Sequence, residues 1–244
     1  MAGYYTNKLA GERLRACYDL APPAARAYLE AEIEFVLARA SPSAFALELG
    51  CGYGRVLRRL LPRVRALAGI DTSLQSLRAA REFVGRGPSL HLLAMDAVRT
   101  AFRDHSFDLT LCIQNGISAF AVDALDLFRE AVRVTRPGGA VLFSSYSDRF
   151  WPDRLEWFEA QAAHGLIGPI DYSATGDGVI ACKDGFRSTT LGPEGFARLA
   201  AALGLAPSIA EVEGSSLFCE IVVPREDAGA RAPEDPSQRG GRDP

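Results

Sequence analysis

The chain has 244 residues, 48% of them apolar and 23% charged, with a formal net charge of -3 at pH 7. That is enough apolar material for a sizeable core, and it sets the expectation of one domain with at most a small annex. The slightly acidic balance excludes a global field that would attract nucleic acid or an anionic membrane, and the one basic run, Arg55, Arg58, Arg59, Arg63 and Arg65, reads as the solvated face of a helix.

In chain order, residues 4–40 read as helical, with Leu9, Leu14, Tyr18 and Leu20 apolar, a break at Pro22-Pro23, and a second stretch through Ala25, Tyr28, Leu29, Ile33, Val36 and Leu37. FALEL (45–49) predicts a strand, RVLRRLLPRV a helix interrupted at Pro62, and ALAGID (66–71) a second strand. SLQSLRAAREFV (73–84) predicts a helix capped by Thr72 or Ser73. LHLLAMDA (90–97) and FDLTLCIQ (107–114) are the third and fourth strands. Residues 123–137 form a helix that Pro137-Gly138-Gly139 ends, and AVLFSSY (140–146) is the fifth strand. The rhythm breaks at 148–188, where an aromatic-rich helix, RFWPDRLEWFEAQAAHG, precedes a hairpin expected around Thr175-Gly176-Asp177-Gly178. A helix with Pro193 in its first turn follows, then two strands, SIAEVEG and SLFCEIVVP, antiparallel across Gly214-Ser215-Ser216. The expected organisation is a domain over 1–224, with a helical cap at 1–43 and a substrate-cover insertion at 148–188, and a polar, Pro/Gly-rich tail at 225–244 that is expected to be disordered.

Alternating apolar strands and amphipathic helices signal an α/β fold, a doubly wound, mostly parallel sheet covered on both faces. Such sheets bind ligands at the carboxyl ends of their strands, which puts Gly50 to Gly54, Asp71, Asp96 and Asn115 on one edge. The glycine turn reads E-x-G-x-G-x-G from Glu48 to Gly54. It does not fit the dinucleotide pattern G-x-G-x-x-G, whose last glycine would fall at Arg55 or Leu57. A pyrophosphate would be repelled by Glu48, whereas a ligand bearing a sulfonium and an ammonium is compatible with it. The helix beginning near Arg55 offers unpaired N–H groups to a carboxylate.

These motifs together resemble the class I S-adenosylmethionine-dependent methyltransferases, over roughly residues 44–146 and the closing strands. ELGCGYG matches the family's glycine motif, GIDTS the acidic end of the second strand, MDA (95–97) the adenine-binding turn, FDLTLCIQNG the fourth-strand motif and RVTRPGGAVLF the approach to the fifth strand. The resemblance implies a seven-stranded Rossmann-like sheet with S-adenosyl-L-methionine as cofactor. It implies a cofactor site drawn from Glu48, Gly50, Cys51, Gly52, Gly54, Asp71, Thr72, Met95, Asp96, Ala97, Gln114 and Asn115. Asp71 would accept the ribose hydroxyls and Asp96 the adenine amino group, with Met95 against the ring. Glu48 is alternatively a structural carboxylate bonding backbone amides, and Cys51 contributes only a small side chain and its backbone.

Methyl transfer from a sulfonium needs an aligned nucleophile and exclusion of water, and a general base only for a nucleophile protonated at neutral pH. The candidates for a catalytic role are Asn115, Gln114 and His164. QNGIS differs from the Asn/Asp-Pro-Pro-aromatic pattern used on amino groups of nucleobases and glutamine, which argues against nucleobase amino methylation; the acidic balance and the lack of an obvious nucleic-acid module favour a small-molecule acceptor. Tyr4, Tyr5, Tyr18, Trp151 and Tyr172 are the expected pocket aromatics. A sharper alternative has Cys17, Cys112 and Cys182 converging on a thiophilic acceptor such as trivalent arsenic; otherwise no metal site is expected. Further alternatives are a protein that binds, cleaves or cyclises S-adenosylmethionine, and a nicotinamide-dependent oxidoreductase. Five scattered cysteines without a CxxC pair point to a reducing cytoplasm. The first ten residues do not read as a secretory leader, and no window reaches the length of a membrane span.

Overall fold

The computed structural model describes residues 4–225. The tail expected beyond Arg225 lies outside the described residues. The helices are α1 (Tyr4–Asn7), α2 (Glu12–Asp19), α3 (Pro23–Leu37), α4 (Arg55–Leu60), α5 (Leu74–Val84), α6 (Gly116–Ala119), α7 (Ala124–Val134), α8 (Trp151–Ala163) and α9 (Pro193–Ala202). The strands are β1 (Phe45–Leu49), β2 (Ala66–Asp71), β3 (Leu90–Ala94), β4 (Phe107–Cys112), β5 (Thr135–Tyr146), β6 (Ile180–Ala181), β7 (Arg187–Ser188), β8 (Ser208–Val212) and β9 (Ser216–Val222). Seven strands form one sheet in the order β3-β2-β1-β4-β5-β9-β8. The first five run parallel, and β9 pairs antiparallel with both β5 and β8.

Alternation along each strand feeds two cores. Leu47 and Leu49 of β1 and Phe143 of β5 pack with Leu127, Phe128 and Phe196 of α7 and α9 on one face. Ala46, Leu109, Leu111 and Leu142 point the other way, onto Ile33 and Val36 of α3 and Leu57 of α4. A third cluster belongs to neither sheet face: Cys17, Tyr28, Tyr146, Trp157, Phe158 and Phe186 join α2, α3, the end of β5, α8 and the β6–β7 hairpin. This third core is the cover over the sheet's edge. Among the described residues no helix is long and apolar enough to cross a membrane.

Local signals explain most boundaries. Ser73 caps α5 by accepting from the Ser76 N–H at 3.3 Å, and Asp123 caps α7 by accepting from Leu125 and Asp126. Pro62 turns the end of α4 into a short 3-10 turn at Leu61–Arg63. Three expectations need correction. The helix expected to run to Pro137 stops at Val134, and TRPGG belongs to β5. Phe107 pairs with Thr135 and Leu109 with Ala140, so a bulge absorbs the proline and glycines. The hairpin turns at Lys183-Asp184-Gly185, where the Asp184 carboxylate accepts from the Phe186 N–H, while Gly176 and Val179 close a separate tight turn. The short helix α6 was not expected at all.

Candidate active site

The carboxyl ends of β1 and β2 are tied through one carboxylate. Asp71 Oδ2 accepts from the Gly52 N–H at 3.0 Å, and Oδ1 accepts from the Ser73 N–H at 2.7 Å. These bonds oppose the burial that raises the Asp71 pKa. The glycine turn itself needs left-handed backbone at Gly50 (φ 73°) and Gly54 (φ 88°). A Cβ at Gly54 would lie 2.7 Å from Val84 Cγ2, so the turn also brings α4 close to α5. At the end of β3, Asp96 accepts from the Val98 N–H through Oδ1 at 3.1 Å. Glu48 lies buried beneath the turn, and its Oε2 has no hydrogen-bond partner among the described residues. The backbone-amide role considered for it therefore has no bond to support it. Burial drives its pKa well above the carboxylate range, against the pull of Arg55 and with the push of Asp71.

From this edge a cavity of about 360 Å³ runs into the cover. Its first half is lined by Gly50, Gly52, Asp71, Thr72, Met95, Asp96 and Ala97, its middle by Gln114, and its far half by Tyr5, Cys17, Tyr18, Tyr146, Trp157, Phe158 and Gln161. Asp71 and Asp96 are the only charged side chains lining it among the described residues, and both sit at the strand-end half. Gln114 has φ 57° and is held by its backbone: its N–H donates to Glu32 Oε2 at 2.9 Å and Ser144 Oγ at 2.8 Å. With its oxygen toward the Arg55 guanidinium, its carboxamide donates to Tyr18 Oη at 3.0 Å. Burial raises the Tyr18 phenol and lifts Tyr146 to about 12, so both are neutral.

Several sequence candidates stand elsewhere. Asn115 is buried, but its Nδ2 donates to Thr189 O at 2.9 Å and its Oδ1 accepts from Ser145 Oγ at 2.9 Å. It fastens β5 to the loop after β7 and does not line the cavity. His164 follows the last turn of α8 on the surface, its Nδ1 2.8 Å from Ala160 O, and does not line the cavity. Tyr172 is 65% exposed and donates to Glu159, while Tyr4 donates to Asp184 and packs edge-on against Phe186. Trp151 lines a second hollow with Arg154 and Thr190. Glu48, Cys51 and Gly54 support the turn from behind: Cys51 Sγ fills the space beside Gly69. The three cysteines do not converge. Cys17 lines the cavity, Cys112 abuts Gly116 and Cys182 starts the hairpin turn. Among the described residues no group of three His, Cys, Asp or Glu side chains is arranged to hold a metal ion, which removes the thiophilic-metalloid alternative.

Three buried polar residues were not anticipated. Glu32 on α3 is fully buried, accepting from the Gln114 N–H and, at 2.6 Å, from Ser216 Oγ. Arg154 on α8 is 1% exposed, with no carboxylate partner among the described residues; it donates to Gly178 O, Ser188 O and Ser188 Oγ and lies 4.2 Å from the Tyr146 ring centroid. Gln161 is 3% exposed. Each carried a readable sign: Glu32 falls one turn after Tyr28, and Arg154, Trp157, Phe158 and Gln161 share one helical face.

Known proteins share this architecture. Residues 46–139 match the family model described as a methyltransferase domain. A malonyl-[acyl-carrier protein] O-methyltransferase of Marinomonas sp. (strain MWYL1) is 37% identical over 118 residues, covering 46% of this chain and 42% of that protein. The chain thus spans less than half the length of that relative. Among solved structures, the PH0226 protein of Pyrococcus horikoshii OT3 superposes with a TM-score of 0.62 at 22% identity, covering 85% of this chain and 94% of that one. The N-methyltransferase NodS of Bradyrhizobium japonicum WM9, in complex with S-adenosyl-L-homocysteine, gives 0.54 at 17% identity, covering 87% and 99%. The glycine turn, the acidic end of β2 and the Asp96 turn after β3 all fall within the matched residues 46–139, and over that stretch the chain is similar to methyltransferases.

Proposed function

We propose that this protein holds S-adenosyl-L-methionine across the ends of β1 to β4 and transfers its methyl group to a small-molecule acceptor by in-line displacement. The observation that carries this reading is a single cavity joining the acidic strand-end edge to an aromatic chamber. The residues present fit the cofactor. Gly50 and Gly52 leave the backbone bare at the cavity wall. Each Asp71 oxygen already accepts one backbone N–H and retains a lone pair for a ribose hydroxyl. Asp96 keeps Oδ2 for the adenine amino group, and Met95 lines the wall beside it. Glu48 sits buried and unpartnered behind the turn and burial favours its neutral form, so the negative potential that suits a cationic ligand comes from Asp71 and Asp96, which line the cavity. When bound, the cofactor supplies an electrophilic methyl group. The chain's own part is to orient and to exclude water. Gln114, fixed at the boundary of the two halves by Glu32 and Ser144, positions the acceptor side against the donor side.

The reading extends to a cytoplasmic enzyme without a nucleic-acid partner; the five free, buried cysteines and the acidic balance support it. Calorimetry with S-adenosylhomocysteine tests it: uptake by the native protein, abolished in Asp71→Ala, is the expected result. No uptake, together with a thermal shift by a nicotinamide dinucleotide instead, would overturn it. Mass spectrometry of the products then separates methyl transfer from cleavage or cyclisation of the cofactor.

A further inference from the structure

The far half of the cavity is polar and yet uncharged. Burial lifts Cys17 to about 12 and Tyr146 to about 12, so neither ionises at neutral pH. The cations beside these walls are already engaged: Arg154 faces the Tyr146 ring and donates to Gly178 and Ser188, and Arg55, against Gln114 and the Tyr18 ring, donates to Leu29 O. An anionic acceptor would lose its hydration there without gaining a counter-ion, and a cationic one would add a second positive charge beside the sulfonium. Among the described residues no histidine or carboxylate lines this half, and His164 stands outside on the surface.

Within this neutral chamber one polar group is unspent. Gln161 follows Trp157 by one turn of α8, lines the cavity, and its carboxamide makes no hydrogen bond within the protein among the described residues. A carboxamide that opens on a cavity is paired by water until a ligand displaces it, and that place is assigned to the ligand. A carboxamide presents an NH2 donor beside a carbonyl acceptor, and its complement is another amide or lactam edge. Trp157 and Phe158 beside it supply flat apolar surface.

We propose that the acceptor is an uncharged planar heterocycle, that it is methylated on a ring nitrogen whose lone pair is free at neutral pH, and that Gln161 selects it by pairing with an amide-type edge. This rests on the methyl-transfer reading above. In the transfer the ring nitrogen's lone pair forms the N–CH3 bond, and the electron pair of the methyl–sulfur bond stays on sulfur. The positive charge passes from sulfonium to ring. No proton moves, so the chamber needs no base.

The test uses the full-length protein saturated with S-adenosylhomocysteine and three probes that share a pyridine ring: nicotinamide, nicotinate and 3-(aminomethyl)pyridine. Calorimetry is expected to show binding of nicotinamide alone, and S-adenosylmethionine is expected to yield its N-methyl product by mass spectrometry. Gln161→Met is expected to weaken nicotinamide by about ten- to a hundredfold, the scale of a lost hydrogen bond to a buried group, while S-adenosylhomocysteine affinity stays within error and so reports an intact fold. Failure of S-adenosylhomocysteine to bind at all overturns the underlying reading and this inference with it. Uptake of S-adenosylhomocysteine combined with equal binding of the charged probes, no binding of nicotinamide at millimolar concentration, or an unchanged Gln161→Met variant overturns this inference alone.

Discussion

At the strand-end half of the cavity the polar groups are carboxylates and bare backbone, all set within a residue or two of a strand terminus. At the cover half they are neutral side chains, drawn from α1, α2, the last residue of β5 and α8. The first half is as rigid as the sheet, because Asp71 ties Gly52 to Ser73 and Cys51 N donates to Ile70 O at 2.8 Å. The second rests on a separate core joined by a buried guanidinium and by contacts such as Trp157 Nε1 to Cys17 O at 2.8 Å. The contrast teaches that holding a cofactor and choosing an acceptor are separable jobs here, and variants should affect one without the other.

Asp71→Ala should have the largest effect. It removes the acceptor of two backbone N–H groups as well as the proposed ribose contact, and a loss of about a hundredfold or more in S-adenosylhomocysteine affinity is expected. Both tryptophans of the chain, Trp151 and Trp157, lie in the cover, so intrinsic fluorescence reports on that half alone. It should be unmoved in Asp71→Ala; a shifted emission would mean that the two halves are not separable. Arg154→Met is the converse. It leaves the Gly178 and Ser188 carbonyls without their donor and should cost about 2 kcal/mol or more in chemical denaturation. Tryptophan emission should move while S-adenosylhomocysteine affinity changes little.

Glu48→Gln sharpens the comparison through pH. Burial raises the folded-state pKa of Glu48, so the folded protein binds its proton more tightly than the unfolded chain does. Ionisation therefore destabilises the native state as pH rises past the ordinary glutamate value of about 4.3. The glutamine variant should match the native protein at lower pH and become the more stable of the two as pH rises toward the raised value, with the difference level above it. Thermal melts without cofactor at pH 4 to 9 check this, and a gap that widens toward acid would contradict it. At the same time the variant should leave S-adenosylmethionine binding nearly unchanged, because burial already favours the neutral form of Glu48. The smallest effect is expected from His164→Ala, less than about twofold in turnover, since its ring meets only the Ala160 carbonyl of its own helix.

How much of this was legible follows the same divide. The strand-end half could be read because its chemistry is local: FALEL, the spaced glycines, ALAGID and MDA each encode their own geometry within a few residues. The doubly wound, mostly parallel sheet could be read because alternation and turn residues are local too, while its seven strands were implied by the family resemblance. The cover could not, because its meaning lies in pairings between distant segments. Asn115 looked like a ligand contact from its place after β4, but Thr189 and Ser145, 74 and 30 residues away, claim both ends of its carboxamide. His164 was attractive as a histidine in a cover segment, but it lies past the last turn of α8 and stands on the surface. Arg154 and Gln161 sat on an aromatic helix face in plain view, yet spacing alone does not say which polar residue on such a face is buried. The TRPGG segment misled for a related reason: a proline and two glycines ordinarily end an element, and the pairing with β4 turned them into a bulge.

Glu32 carries one more implication. Its two oxygens join the backbone of Gln114, in the cavity wall, to the hydroxyl of Ser216 at the start of β9. During synthesis the ribosome releases the glycine turn, Asp71, Asp96 and Gln114 long before Ser216, so the donor half of the site is translated while its anchor is still unmade. A nascent chain halted short of β9 would present a burial-disfavoured glutamate with one arm empty, and chaperone engagement or proteolytic loss should concentrate in that interval of elongation.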